Sequence, residues 1–426
     1  MTTESMQGPQ ADLPGPLDGI RVLELADEKG QFCGKLMADL GADVIKIEPP
    51  GGQNTRLIGP FLADKPSRET SLSFWHYNTS KRGVTLDLNS KEGQRLYREL
   101  ARTADVVLET QPPGRMPDLG LGYDDLSKLN PSLIMCSLTP FGQNGPWRDF
   151  LSCDLLHLAA GGQMASSGYD QEDVPDAPPI APGGGNAWHI AGHYAYIGIL
   201  AALYHRDMTG EGQYIDASIH EACALTTEGA IAIYLSTGEV VQRHTGRHAS
   251  PDMSTRIQLA TKGGDWVNVT RSGSNLTPAR LKVLAEWMDD HGMAQDLLDE
   301  KYYAPDGILE NAFHITDVMA QFFEQMTQSE IWQGGQERDF PWGGVRTLDD
   351  IIGDPHLEER EFFVEVEHPE LGQSFTYPGA AAIYNGSPWK ISRRAPLVGE
   401  HNQEILCGEL GVSLEELNLL AESGVV

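Results

Sequence analysis

Apolar residues in the first third of the chain fall into short runs separated by amphipathic stretches, the alternation expected of a β/α protein. Ile20 to Ala26 (IRVLELA) is predicted as a strand, Gly30 to Leu40 as a helix, and Ala42 to Glu48 (ADVIKIE) as a second strand, together a βαβ unit. Asn89, with Glu92 three residues later, has the spacing of a capping box that opens a helix running to Ala104. A strand at Asp105 to Glu109, a short helix at Tyr123 to Leu129 and a strand at Leu133 to Leu138 continue the alternation. The pattern predicts an α/β fold of the doubly wound class, a parallel sheet covered on both faces.

After Gly142 the character changes. A loop-rich segment from Ser166 to Ala187, dense in Pro, Gly and Asp, precedes a long apolar helix from about Trp188 to Tyr204, and a site is expected at that junction. HRDMTGEGQ (205–213) has the composition of a turn, Tyr214 to Ser218 that of a strand, and a helix is predicted from His220. Between 229 and 340, a weaker strand (DWVNVT) and two amphipathic helices (LKVLAEWM, ITDVMAQFFEQM) predict a smaller second domain. The expected boundaries are a large domain over 1–207, a linker over 208–228, a small domain over 229–340, and a second linker with a return to the large domain over 341–426. That last stretch is mostly extended or turn-rich in pattern.

Charge narrows the classes of partner. Lys and Arg number 31 against 61 Asp and Glu, a net charge of −30. Such a surface repels phosphate backbones and anionic lipid, so no nucleic-acid or membrane partner is expected, and any anionic ligand must meet a local basic patch. The amino-terminal MTTESMQGPQADLPGP has neither a basic nor an apolar leader region, and the richest apolar stretch, Tyr194 to Tyr204, is shorter than the roughly 20 residues of a membrane span, so a cytoplasmic location is expected. Five widely spaced cysteines without a CxxC argue against a disulfide framework and a structural zinc, and no metal site is expected. No GxGxxG follows the first strand, so a nicotinamide cofactor is not supported.

A set of segments in consistent order carries a family resemblance: PLDGIRVLELA (16–26), LGADVIKIEPPGG (40–52), NTSKRGVTLDL (78–88), FGQNGP (141–146), IGILAALYHRDMTGEGQYIDASIHEA (197–222) and RAPLVGEHNQEIL (394–406). They resemble the class III CoA-transferases, the group that contains formyl-CoA:oxalate and carnitine CoA-transferases and the related α-methylacyl-CoA racemases. The resemblance implies an interlocked dimer, each chain with a Rossmann-like large domain, a small domain and linkers that wrap the partner. It implies coenzyme A, as an acyl-CoA substrate, with adenine contacts on Leu86 to Asn89 and pantetheine and phosphate contacts near Lys29, Pro49 and Thr110 to Asp118. Lys46, Lys81, Arg82 and Arg115 are expected near the carboxyl ends of strands or the loops beyond, where cations could meet the phosphates. Pro49, Thr110 and Asp118 depart from the basic or amide residues frequent in relatives.

The same resemblance implies a nucleophilic Asp that attacks the thioester and later becomes an enzyme-CoA thioester. The family pattern places it four residues before Gly192 and ten before Gly198, and both counts land on Trp188, whose indole cannot be acylated. Asp154, in SCDLLHLAAGG, aligns with an acidic supporting position and is the candidate substitute; Asp173 and Asp176 are further ones. His189 and His193 share a helix face at a spacing suited to acid/base or metal work, without a visible third ligand. Racemase chemistry would need a His at Cys153 and an Asp at Trp188. Two functions follow: the Asp-less subunit of a heteromeric transferase moving CoA between an acyl-CoA and a carboxylic acid, resembling succinyl-CoA:benzylsuccinate CoA-transferase, or a homodimeric acyl-CoA isomerase or racemase, lyase, hydrolase or non-catalytic binder. Trp188 and His189, with Tyr194 and Tyr196, hint at a bulky or aromatic acyl group.

Overall fold

The computed structural model describes residues 13–227, 229–269 and 276–426. The first residues of the leader reading, Glu228 at the end of the expected linker and Thr270 at the end of DWVNVT lie outside the described residues. The chain divides into two compact units: one of residues up to Gly161, Gly183–Thr226 and Pro355–Val426, the other of Gly162–Pro182 and Thr227–Asp354.

The first unit is built on six strands: β1 (Arg21–Leu25), β2 (Asp43–Glu48), β3 (Arg82–Thr85), β4 (Val106–Glu109), β5 (Ile134–Thr139) and β6 (Tyr214–Ser218). All pair in parallel in the order β3-β2-β1-β4-β5-β6. Helices among them include α1 (Gln31–Asp39), α2 (Leu72–Tyr77), α3 (Lys91–Ala101), α4 (Asp154–Ala160), α5 (Asn186–Thr209) and α6 (Ile219–Leu225). The apolar faces of β1, β2 and β4 meet Leu96, Tyr97 and Leu100 of α3 in one core. Several helix ends differ from the sequence reading, α3 for one stopping at Ala101 rather than Ala104. Ser90, not Asn89, caps α3, its hydroxyl accepting the Gly93 N–H while the Asn89 side chain is drawn back to Asp87. Helix α5 begins two residues early and continues through His205 to Thr209, because the first residue to leave the helix is Gly210, at φ +80°.

The tail holds more regular structure than its composition suggested, a hairpin (Phe363–His368, Gln373–Pro378) and a helix (Leu414–Glu422). It also covers the free edge of β3. The Gly83 N–H donates to His401 Nδ1 at 3.1 Å, the Thr85 N–H to Asn402 Oδ1 at 2.9 Å, and the Asp87 N–H to the Val425 carbonyl at 2.8 Å. An edge strand so occupied cannot template further pairing.

In the second unit, Gln258–Ala260, Trp266–Asn268 and Gly343–Gly344 form a three-stranded antiparallel sheet. Helices Pro278–Asp289 and Ala312–Phe323 pack on it through Leu281, Leu284, Trp287 and Phe322. Among the described residues no helix is long and apolar enough to cross a membrane.

Candidate functional site

Most of the cations singled out in the sequence hold the fold. Glu24 of β1 and Lys46 of β2 are register partners, both fully buried, with Lys46 Nζ 2.8 Å from Glu24 Oε1. Lys81 reaches the other oxygen at 2.6 Å and donates to the Gln31 carbonyl and to Asn78 Oδ1. A Cβ at position 34 would lie 1.7 Å from Glu24 Oε2, so the turn of α1 that covers this carboxylate requires glycine. Thr79 and Ser80 donate to Asp39, which also holds Lys35. Arg82 opens β3, at the opposite end of the sheet from the carboxyl ends, and is paired with Asp43, Glu404 and Glu409. The expected placement of Lys46, Lys81 and Arg82 at strand carboxyl ends is therefore corrected: strand interiors and starts position them, and carboxylates neutralise them.

The carboxyl ends of β1 to β4 do frame a pocket of about 480 Å³. Leu25, Ile47, Leu86 and Met116 give it apolar walls, and Asn89, Gln111 and Arg115 stand among its polar groups. Arg115 donates to Asn89 Oδ1. Of the sequence-predicted residues, Leu86, Asn89 and Arg115 are brought together here, and Pro49 lines the same pocket. Thr110 stands just past β4, where its hydroxyl binds the Asp27 carboxylate and accepts the Asp27 N–H, both at 2.9 Å. Lys29 is ion-paired to the same Asp27. Asp27, Glu28 and Asp87 also line the pocket, so Arg115 stands there among three carboxylates.

A second cluster forms at the start of α5. The chain enters it through Gly184 and Gly185, at φ +89° and +71°, a left-handed turn that side chains resist. Asp154 Oδ1 accepts the Ala187 N–H at 2.8 Å, satisfying one of the free donors of the helix end. Trp188 follows in that first turn, its ring 5.7 Å from His157 in an edge-to-face arrangement. His189 Nε2 lies 2.7 Å from the Tyr77 hydroxyl. Phe32 packs on both His189 and His193, at 4.3 and 5.0 Å. Burial and then His193 lower the pKa of His189, and burial and then Asp154 raise that of Tyr77. The two histidines thus share a face, as expected, and pack there against an aromatic ring. Among the described residues no group of three or more His, Cys, Asp or Glu is placed to hold a metal ion.

Tyr77, Phe32 and His157 were missed in the sequence. His157 had a signal, a lone imidazole in the apolar run LLHLAA; the other two are joined to α5 only by the fold.

A six-stranded parallel sheet with a pocket at the carboxyl ends of its strands defines an open α/β protein. Within that class the chain belongs to CoA-transferase family III, whose model matches residues 17–402. It is 31% identical to the succinyl-CoA–L-malate CoA-transferase beta subunit of Chloroflexus aurantiacus, over 96% of this chain and 98% of that protein. It is 32% identical to succinyl-CoA:(R)-benzylsuccinate CoA-transferase subunit BbsE of Thauera aromatica, over 95% and 97%. Its fold is similar to that of a CAIB/BAIF family protein from Brucella suis, with a TM-score of 0.77 at 27% identity, covering 93% of this chain and 99% of that one.

Proposed function

We propose that this chain works in the transfer of CoA between an acyl-CoA, succinyl-CoA being the donor named for several relatives, and a carboxylic acid, as the subunit that lacks the nucleophilic carboxylate. The observation that carries this reading is Trp188 in the first turn of α5, the position where the family resemblance implies the Asp. In that chemistry a carboxylate oxygen attacks the thioester carbonyl and CoA leaves as thiolate. The thiolate then attacks the enzyme carbonyl of the mixed anhydride, releasing the first acid and leaving an enzyme-CoA thioester. Attack by the second acid carboxylate and return of the thiolate complete the exchange and restore the carboxylate. An indole can take no part in these steps, so the nucleophile comes from a partner chain. Asp154 is bonded to the same helix turn, but its Oδ1 is committed to the Ala187 N–H, which favours a positioning role.

In this reading the sheet is the Rossmann-like core of a large domain, and the strand-end pocket takes the adenine of CoA between Leu86 and Asn89, with Arg115 toward a phosphate. An interlocked dimer, with itself or with a sister chain carrying the Asp, is supported by the apolar residues that α5 and α6 leave exposed. Ile197 is 59% exposed, Tyr204 and Met208 71%, and Leu225 70%.

The experiment incubates the purified chain with succinyl-CoA, then treats it with hydroxylamine and maps the products by mass spectrometry. No covalent CoA thioester is expected on this chain alone, whereas Trp188→Asp, or addition of a sister chain, is expected to give one. A thioester on the unaltered chain overturns the assignment of the missing nucleophile, and a monomer by light scattering overturns the interlocked assembly.

A further inference from the structure

The strand-end pocket holds charges that the fold does not pair off. Of the three carboxylates that line it, Asp27 is matched from within: its oxygens hold the Lys29 ammonium, the Lys29 N–H and the Thr110 hydroxyl. Asp87 has no cation among the described residues, and its Oδ1 accepts only neutral donors, the Asn89 N–H at 3.0 Å and the Asn89 side-chain amide at 2.9 Å. Glu28 is half-buried, and its side chain has neither a hydrogen bond nor an ion pair among the described residues. Arg115 is the one cation of the lining, and it donates to the neutral amide oxygen of Asn89.

Beside its apolar walls, the pocket therefore offers a guest one guanidinium and two carboxylates that no cation of the chain offsets. A ligand that suits this set brings an apolar ring, one anionic end for Arg115 and hydroxyl groups for the carboxylates. The 2′- and 3′-hydroxyls of a free ribose donate to a carboxylate, whereas a phosphate on the ribose is repelled by it, the choice by which dinucleotide sites tell the two apart. The repulsion does not depend on one pose. The cavity measures about 480 Å³, and charges act across the Debye length, about 10 Å at 0.1 M salt, so a ribose phosphate anywhere in it feels both carboxylates.

We propose that this pocket prefers an adenine nucleotide with an unphosphorylated ribose, and that Glu28 and Asp87 discriminate against the 3′-phosphate that CoA carries. Arg115 serves the 5′-diphosphate, which both nucleotides share. That the guest is an adenine nucleotide rests on the transferase reading of this pocket; its preference at the ribose comes from the charges of the lining.

The test uses the full chain in the assembly in which it purifies. CoA and 3′-dephospho-CoA, which differ only in that phosphate, are titrated calorimetrically under reducing conditions at low and at high salt. 3′-Dephospho-CoA is expected to bind about three- to tenfold more tightly, with the ratio shrinking as salt rises. Glu28→Gln keeps the shape and removes the charge, and is expected to lower the ratio about threefold. Glu28→Asp, which keeps the charge, should preserve it. The Glu28 side chain has no partner to lose, so both variants are expected to unfold at the urea midpoint of the unaltered chain. CoA binding as tightly as 3′-dephospho-CoA, or more tightly, overturns the proposal and leaves the transferase reading standing. A ratio that neither Glu28→Gln nor Asp87→Asn alters overturns the assignment to these carboxylates. If neither nucleotide binds, the proposal and the nucleotide reading of the pocket fall together. A preference for 3′-dephospho-CoA in a chain that forms the enzyme-CoA thioester by itself would remove the missing-nucleophile reading and leave the ribose preference in place.

Discussion

Two clusters of buried polar groups in the first unit invite comparison. Under the sheet, both oxygens of Glu24 are taken by Lys46 and Lys81, and Lys81 is further bonded to Gln31 and Asn78. Around Phe141, the imidazoles of His157 and His220 and the hydroxyl of Thr139 keep atoms without partners among the described residues. The first cluster consists of charges ion-paired within the fold; the second has in His157 a neutral ring whose two nitrogens find no partner among the described residues. Removing a charge from water is tolerated only where opposite charges and hydrogen bonds replace the solvent, so fully buried ions must be matched from within the fold. A neutral imidazole costs less to leave unmatched. The contrast teaches that charge alone is a poor guide to the site here.

The largest effect expected from this contrast is on stability. Lys81→Met leaves Glu24 with a single cation in a fully buried setting and is expected to cost about 3–5 kcal/mol in urea unfolding. A loss below about 1 kcal/mol would mean that the Glu24 cluster is not matched internally, and the comparison would break.

Glu109 is an intermediate case, a buried carboxyl held by the Gln111 N–H and the Ser137 hydroxyl, with burial raising its pKa from 4.5 to about 7. Between those values the folded chain binds more protons than the unfolded one. This group therefore lowers stability as pH rises from 4.5 through 7. Glu109→Gln is expected to exceed the unaltered chain by about 2–3 kcal/mol at pH 8, with the difference vanishing toward pH 4.5. Unfolding curves at the two pH values check it; a difference independent of pH would show that Glu109 is matched in the manner of Glu24.

Asp154 sharpens the comparison at the second cluster. If its carboxylate serves the helix end, Asp154→Ala loses one hydrogen bond to the Ala187 N–H and about 1 kcal/mol of stability. A thioester trapped on this chain that disappears in Asp154→Ala would instead assign it the nucleophile's part.

The alternation that built the sheet was legible because strand and helix periods differ and because each strand is short and bounded. The long helix that carries Trp188 was legible from the apolar run that follows the Pro- and Gly-rich loop. The burial of the cations was not legible from the usual expectation that Lys and Arg are solvated, although a signal was there. Glu24 sits in the middle of IRVLELA and Lys46 in the middle of ADVIKIE, and a parallel pairing makes them neighbours. Charges inside apolar strands that pair in register predict a buried ion pair rather than a binding site. Arg82 was misplaced for a different reason: it stands at the start of a strand, and direction decides which end of a parallel sheet a residue joins. Tyr77 reaches His189 across 112 positions of chain, a distance no local pattern spans.

The smallest expected effects come from the two arginines, and they separate the structural from the binding role most cleanly. Arg82 is bonded to Asp43, Glu404 and Glu409 at the amino end of β3, and these partners are partly exposed, so screening keeps the network modest. Arg82→Ala is expected to cost about 1 kcal/mol in unfolding and to leave desulfo-CoA affinity unchanged. Arg115 lines the strand-end pocket and donates to the amide oxygen of Asn89, so little of the fold depends on it. Arg115→Ala is expected to change stability by less than about 0.5 kcal/mol and to weaken desulfo-CoA about three- to tenfold, because one charge-assisted contact to a phosphate is lost. Raising the salt concentration should narrow that difference between the unaltered chain and Arg115→Ala, as screening weakens the same contact. Should the two substitutions exchange effects, the strand-end pocket would lose its claim to the phosphate, and the amino end of the sheet would take it.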